Sequence, residues 1–190
     1  MQSSTPTRRA DRGAVRAWVG VALTVAFAAC EPVPVVERPE APPPTAPAPE
    51  PSGPPVAFEY RNVAGGTVSA SDLRDRLTVI VLGTTYDVPS QAQAKFLAQI
   101  HRDHAPRINA LLLVLEQPEN EILVAAYASA LSLRYPVVMA DAATIRGAGP
   151  FAGLRHVPSV VILDKQGRER FRHLGLLTDV EIEEVLRKLE

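Results

Sequence analysis

Residues 56–190 predict an α/β domain with a mixed central sheet, and three observations carry that expectation. Two apolar runs, 77–82 (LTVIVL) and 110–115 (ALLLVL), have strand length and no alternation, the pattern of strands covered on both faces. Stretches with helical spacing follow each of them. The chain then closes on a hairpin and a capped helix, an order that suits helices flanking a mixed sheet.

Taken in order, Phe58-Glu59-Tyr60 and Thr67-Val68 read as short strands about the turn Ala64-Gly65-Gly66. The 77–82 run is the first core strand. Residues 90–104 read as a helix with Phe96, Leu97 and Ile100 inward, and 110–115 as the second core strand. Residues 120–133 form a periodic helix whose expected buried face is Ile122, Leu123, Ala126, Tyr127, Ala130 and Leu131. Residues 135–139 give another strand. Residues 159–164 and 168–174 pair as a hairpin about Lys165-Gln166-Gly167. The last helix opens with a capping box, Thr178 with Glu181 three later, and buries Ile182, Val185, Leu186 and Leu189. These 135 residues are an ordinary size for one domain.

Ahead of the domain the chain reads as an export leader and a spacer. Arg8, Arg9, Arg12 and Arg16 make its start basic, and residues 17–29 carry no charge. That apolar stretch is shorter than the roughly 20 residues of a membrane span and fits a signal peptide. Phe27-Ala28-Ala29-Cys30 is similar to the bacterial lipobox, with Phe27 where an aliphatic residue is usual. Residues 1–29 are therefore expected to be a lipoprotein signal peptide and Cys30, the chain's single cysteine, a lipidated residue. A lone thiol has no partner for an internal disulfide. Residues 30–55 follow as a disordered linker: 11 of the 18 prolines lie within 31–55, and such a chain has too little apolar surface to fold. At about 3.1 Å per residue it would hold a domain roughly 75 Å from a bilayer.

Net charge says little about partners. The whole chain is at −1; the leader carries four Arg against one Asp, so the remainder is at −4. No basic run with interleaved aromatics appears, as a nucleic-acid surface would require.

The order of motifs in 56–190 resembles the thioredoxin-like superfamily and, within it, the membrane-tethered TlpA/redoxin group. Residues 68–74 (VSASDLR) resemble that group's entry to its first core strand. Residues 79–86 (VIVLGTTY) resemble the strand leading to its active-site loop. Residues 156–167 (HVPSVVILDKQG) resemble its cis-proline, strand and turn. The resemblance implies a thioredoxin-like fold, with Pro158 cis.

It also locates a departure. Where the family has Trp-Cys-x-x-Cys, this chain has Tyr86-Asp87-Val88-Pro89-Ser90, so Asp87 stands on the attacking cysteine and Ser90 on the resolving one. Asp87 likewise replaces the peroxidatic thiol of a peroxiredoxin. Thiol chemistry is not carried over with the fold. A carboxylate at a helix N-terminus gains on the order of 0.3–1 kcal/mol from the helix dipole, and Asp followed by Pro89 also makes an ordinary cap. The bland role for Asp87 is that cap alone.

A surviving peptide groove would comprise Tyr86, Asp87, Ser90, Val157 and Pro158, since relatives pair that loop with an extended backbone. The expected function is a redox-inactive binding or scaffold module, lipid-anchored in the bacterial envelope and facing the periplasm. Its expected partner is an envelope protein or extended peptide, with no cofactor and no catalytic residue. Two other classes compete: a thiol–disulfide oxidoreductase relying on a partner's cysteines, and a metal-binding accessory lipoprotein. His101, His104 and His156 are the candidate ligands for the latter, but without soft cysteine ligands the first two read as a solvated helix face. Ser90 lacks the Gly-x-Ser-x-Gly surroundings of a hydrolase nucleophile, and Gly147-Ala148-Gly149 reads as loop punctuation.

Overall fold

The buried apolar runs assemble first. In the computed structural model, which describes residues 53–190, seven strands form one sheet in the order β2-β1-β5-β4-β3-β6-β7. The strands are β1 Glu59–Asn62, β2 Thr67–Ser69, β3 Leu77–Gly83, β4 Ile108–Val114, β5 Val137–Met139, β6 Ser159–Leu163 and β7 Glu169–Leu174. β3, β4 and β5 are parallel, while β1, β2, β6 and β7 join antiparallel to their neighbours. The sheet is mixed, as expected. The expected leader, the lipidated Cys30 and the linker up to residue 52 lie outside the described residues.

Every residue of β3 is buried, which explains why its sequence shows no alternation. The alternation exists in space instead. Val79 and Val81 enter one core with Leu112, Val160 and Ile162. Ile80 and Leu82 enter the other with Leu111, Leu113 and Val161. The first core is closed by helices α1 Val88–His104, α2 Glu121–Ala130 and α4 Asp179–Leu189. The second is closed by Phe151 and Leu154, in the stretch after the short α3 Ala142–Ile145.

Two helix faces differ from expectation. On α1 the buried line is Ser90, Gln93, Ala94, Leu97 and Ile100, and Phe96 is only half-buried, outside both cores. Gln93 takes the inward place because its amide is fully used: it donates to the Leu177 carbonyl at 2.8 Å and accepts from the Leu177 amide at 2.7 Å. That pair of bonds ties α1 to the chain entering α4. On α2, Val124 is the buried residue, with Tyr127 and Ala128 packed beside it, while Ile122 and Leu123 are 81% and 64% exposed. This helix is apolar nearly all round, so periodicity does not select a face. Its anchorage at Asn120, whose amide donates to Glu116 at 2.9 Å, accompanies the orientation that turns Ile122 and Leu123 outward.

The ends of the sheet have different tasks. At the far end of β6, Asp164 accepts from the amides of Gln166 and Arg168 and from the Arg168 side chain, closing the β6–β7 turn. The Val56 amide donates to Gly167 of the same turn at 2.9 Å, so the described chain begins there. The capping box of α4 is present, with Thr178 and Glu181 exchanging bonds.

Burial pushes the Asp164 carboxyl up, but the donors of Arg168 and Gln166 and the Arg168 charge outweigh it, leaving it below the ordinary carboxylate value. A depressed folded value stabilises the fold above the unfolded value and is lost as pH falls through the folded one. The stability gap between the native chain and Asp164→Asn is therefore expected to be widest near neutral pH. It should shrink as pH falls below 3.8, as read by urea unfolding at each pH. A gap that widens in acid would contradict this account.

Candidate functional site

The site is built where β3 ends and α1 begins. Four residues, Thr84 to Asp87, link Gly83 to Val88. Asp87 is the cap of α1, with extended backbone at φ −93 and ψ 122. Its carboxylate accepts from the Ser90 amide at 2.8 Å and from the Ser90 hydroxyl at 2.6 Å, satisfying a donor that the helix itself cannot pair. Pro89 lies in the first turn, where a missing N–H costs nothing. Ser90 is 1% exposed. A Cβ placed on Gly83 would stand 3.2 Å from the Ser90 Cβ, so glycine at the end of β3 gives that side chain its room.

Ser90 is thus a buried hydroxyl already donating to Asp87. Its proton has no histidine to go to, and its oxygen faces no open space for a substrate. The geometry gives it a packing role beside the cap.

A second carboxylate braces the loop, and sequence reasoning missed it. Glu116, two residues past β4, is 5% exposed. It accepts from the Thr85 amide at 2.6 Å, the Thr85 hydroxyl at 2.8 Å and the Asn120 amide at 2.9 Å. Gln91 adds a bond to the Thr85 carbonyl at 2.8 Å. A buried carboxylate with three donors is well satisfied without a cation. Its only trace in the sequence is an acidic residue directly after an apolar strand run. The neighbouring Thr84 hydroxyl is buried with no hydrogen-bond partner.

The proline loop opens at the same end of the sheet. Leu82 pairs with Ser159 across β3 and β6, so the residues after β3 and those before β6 lie side by side. Val157–Pro158 is cis, as is Ala105–Pro106, which the sequence reading did not single out. The Ser159 hydroxyl donates to the His156 carbonyl at 2.6 Å, and the Pro158 carbonyl accepts from Gly175 at 2.9 Å. Pro158 is buried and Val157 half-buried. Among the described residues, neither the amide nor the carbonyl of Val157 takes part in a hydrogen bond. Tyr86 and Val88 are 74% and 73% exposed. The fold therefore brings all five expected residues to one end, two of them buried as support.

The histidines stand elsewhere. His101 and His104 are not a solvated face: His101 lies edge-on to Tyr135 with ring centres 5.8 Å apart, and His104 is 3.7 Å from Glu183. His104 thus faces α4 and His101 faces Tyr135, and both are half-buried. His156 is at the proline loop. Among the described residues, no group of three or more His, Cys, Asp or Glu stands close enough to hold a metal ion.

No family model and no curated protein sequence matches the chain. Solved structures do match. A DsbF homologue from Corynebacterium diphtheriae superposes with a TM-score of 0.67 at 16% identity, over 79% of this chain and 97% of its own. The exposed lipoprotein thioredoxin of Streptococcus pneumoniae gives 0.60 at 18% identity, over 70% and 100%. A secreted thiol-disulfide isomerase from Corynebacterium glutamicum gives 0.61 at 17%, over 70% and 83%. At such identities the likeness is one of fold, and the fold is thioredoxin-like. Among the described residues no helix is long and apolar enough to cross a membrane.

Replacing the cap isolates its energetic role. Asp87→Ala is expected to lose about 1 kcal/mol, within the roughly 0.5–2 kcal/mol range for such caps. Asp87→Asn, which retains an acceptor for the Ser90 amide, should lose less than half of that. Chemical denaturation of both variants checks the pair, and equal losses would mean that the negative charge, rather than the hydrogen bond, supplies the stabilisation.

Proposed function

We propose that the chain is a redox-inactive binding module of the bacterial envelope, carried on a lipid at Cys30 and presenting the Tyr86–Val157 end to an extended peptide or protein segment. The observation that carries this reading is chemical. The chain's single cysteine is at position 30, outside the described residues, and the positions that the resemblance gives to two redox thiols hold Asp87 and Ser90, which bond each other. Neither side chain accepts electrons from a dithiol. Beside them, the unpaired Val157 amide and carbonyl offer one donor and one acceptor to a passing strand. Exposed Tyr86 and Val88 add apolar contact, and tyrosine is a frequent anchor at interfaces. The likeness to secreted and exposed thioredoxin-fold proteins agrees with an envelope location.

That same likeness, to disulfide oxidoreductase folds, favours a second reading: disulfide exchange completed by cysteines of another protein. Insulin reduction by dithiothreitol tests whether the chain has such activity on its own. The native chain should not exceed the rate of buffer, whereas an Asp87→Cys, Ser90→Cys double variant should accelerate it, because a helix N-terminus lowers a thiol's pKa. Turnover by the native chain would sink the binding reading. On an extended-peptide array, Tyr86→Ala should weaken whatever the native chain binds at least tenfold, while leaving stability within about 0.5 kcal/mol.

The anchor has its own test. Cys30→Ser should move the chain from the membrane fraction to the soluble fraction of cells. An unchanged distribution, with no acyl mass on the native N-terminus, would remove the lipid from this account.

A further inference from the structure

We propose that the groove around the turn between α2 and β5 binds a small amphiphile with an anionic head. A cleft of about 530 Å³ lies between the C-terminal half of α1 and this turn, lined by His101, Arg102, Leu131, Ser132, Arg134 and Tyr135, with two alanines. A second, of about 420 Å³, reaches along α2 past Ala128 and Leu133. The two adjoin at Ser132 and Arg134, which line both. Each volume is within the roughly 300–1,000 Å³ of small-molecule sites.

The chemistry of the lining is one-sided. No Asp or Glu lines either cleft, and the charged groups are the guanidiniums of Arg102 and Arg134. The remaining surface is largely apolar. This combination suits a charged head at the middle and a hydrocarbon tail along one arm.

Basic residues near helix C-termini commonly serve the last carbonyls, and that explanation fails here. Backbone amides already hold those carbonyls. Ala105 donates to His101, Arg107 to His104, Leu131 to Tyr127, Ser132 to Ser129 and Leu133 to Ala128, all between 2.7 and 3.0 Å. Among the described residues neither guanidinium donates to a backbone carbonyl, and Arg102 is only 3.9 Å from its neighbour Asp103. Among the described residues Arg134 has no hydrogen bond or ion pair, and Arg102 has only the long pair with Asp103, which leaves Arg134 as the freer cation.

Two further features belong to the groove's lining. Ser132 has φ 52, a conformation that costs a non-glycine residue about 1 kcal/mol or more and recurs at ligand sites. Glycine would close the turn without that cost but would bring no hydroxyl. The Nδ1 atom of His101 is buried and has no hydrogen-bond partner, which is uncommon for a polar atom in a folded interior. The groove lies by the end of α1 remote from Asp87, about 20 Å or more along a 17-residue helix. It stands independently of the peptide-binding reading.

Titration calorimetry of the full chain with octanoate, octanol and inorganic phosphate tests the site. Octanoate should bind saturably, one per chain, at least tenfold tighter than either octanol, which lacks the charge, or phosphate, which lacks the tail. Arg134→Gln should weaken octanoate at least tenfold, leave octanol unchanged and leave the melting temperature unchanged. Ser132→Gly should raise the melting temperature by relieving the backbone yet weaken octanoate several-fold, a divergence that a purely structural role would not produce. Equal binding of octanoate and octanol would reduce the groove to apolar surface. Equal binding of octanoate and phosphate would reduce it to a basic patch. Absence of octanoate binding, or an Arg134→Gln variant that binds octanoate as the native chain does, would overturn the proposal.

Discussion

How the chain leaves one buried element and enters another within four residues is the constraint on which the site end depends. β3 is covered on both faces and α1 must pack back onto it at once. The Thr85 amide in the link and the Ser90 amide in the first turn of the helix each need an acceptor. Two carboxylates supply them. Asp87 closes the helix over Ser90, and Glu116, arriving from the adjacent parallel strand, closes the loop over Thr85. With both in place, Tyr86 is the residue pushed outward, and the proline loop settles beside it through the pairing of β3 with β6. Position, rather than reactivity, is what these acids provide.

The cap also bears on which residues this position of the fold accepts. A helix N-terminus stabilises negative charge whether a thiolate or a carboxylate carries it. Asp87 meets that electrostatic demand, and Ser90 fills a space bounded by Gly83 with an atom small enough to fit. An acid at this cap and a small buried hydroxyl behind it are compatible with the thioredoxin-like fold.

Much of the architecture was legible because its signals are local. The run 77–82 is a strand whose every side chain is buried, and the Thr178–Glu181 capping box was readable directly from residue spacing. The proline loop and its place beside Asp87 followed from motif order. Tertiary choices were not legible. α2 is apolar on more than one face, so Ile122 and Leu123 looked as eligible for the core as Val124 did. Phe96 lost its expected place to Gln93, a polar residue whose burial makes sense only once the backbone of Leu177 lies opposite. Glu116 belongs to the same class: its partners are about 31 residues away at Thr85 and 4 away at Asn120, and neither spacing is a recognisable pattern. His101 and His104 seemed solvated because the sequence does not show which side of α1 receives α4.

The hydrogen bond from Val56 to Gly167 has a geometric consequence for how the domain is handled. β6 runs from Pro158 at one end to the 164–167 turn at the other, about 17 Å for its five residues. The Val56 amide is thus tied to the pole facing away from Tyr86, and a force applied at Val56 would load the β6–β7 turn before it reached the Asp87 cap.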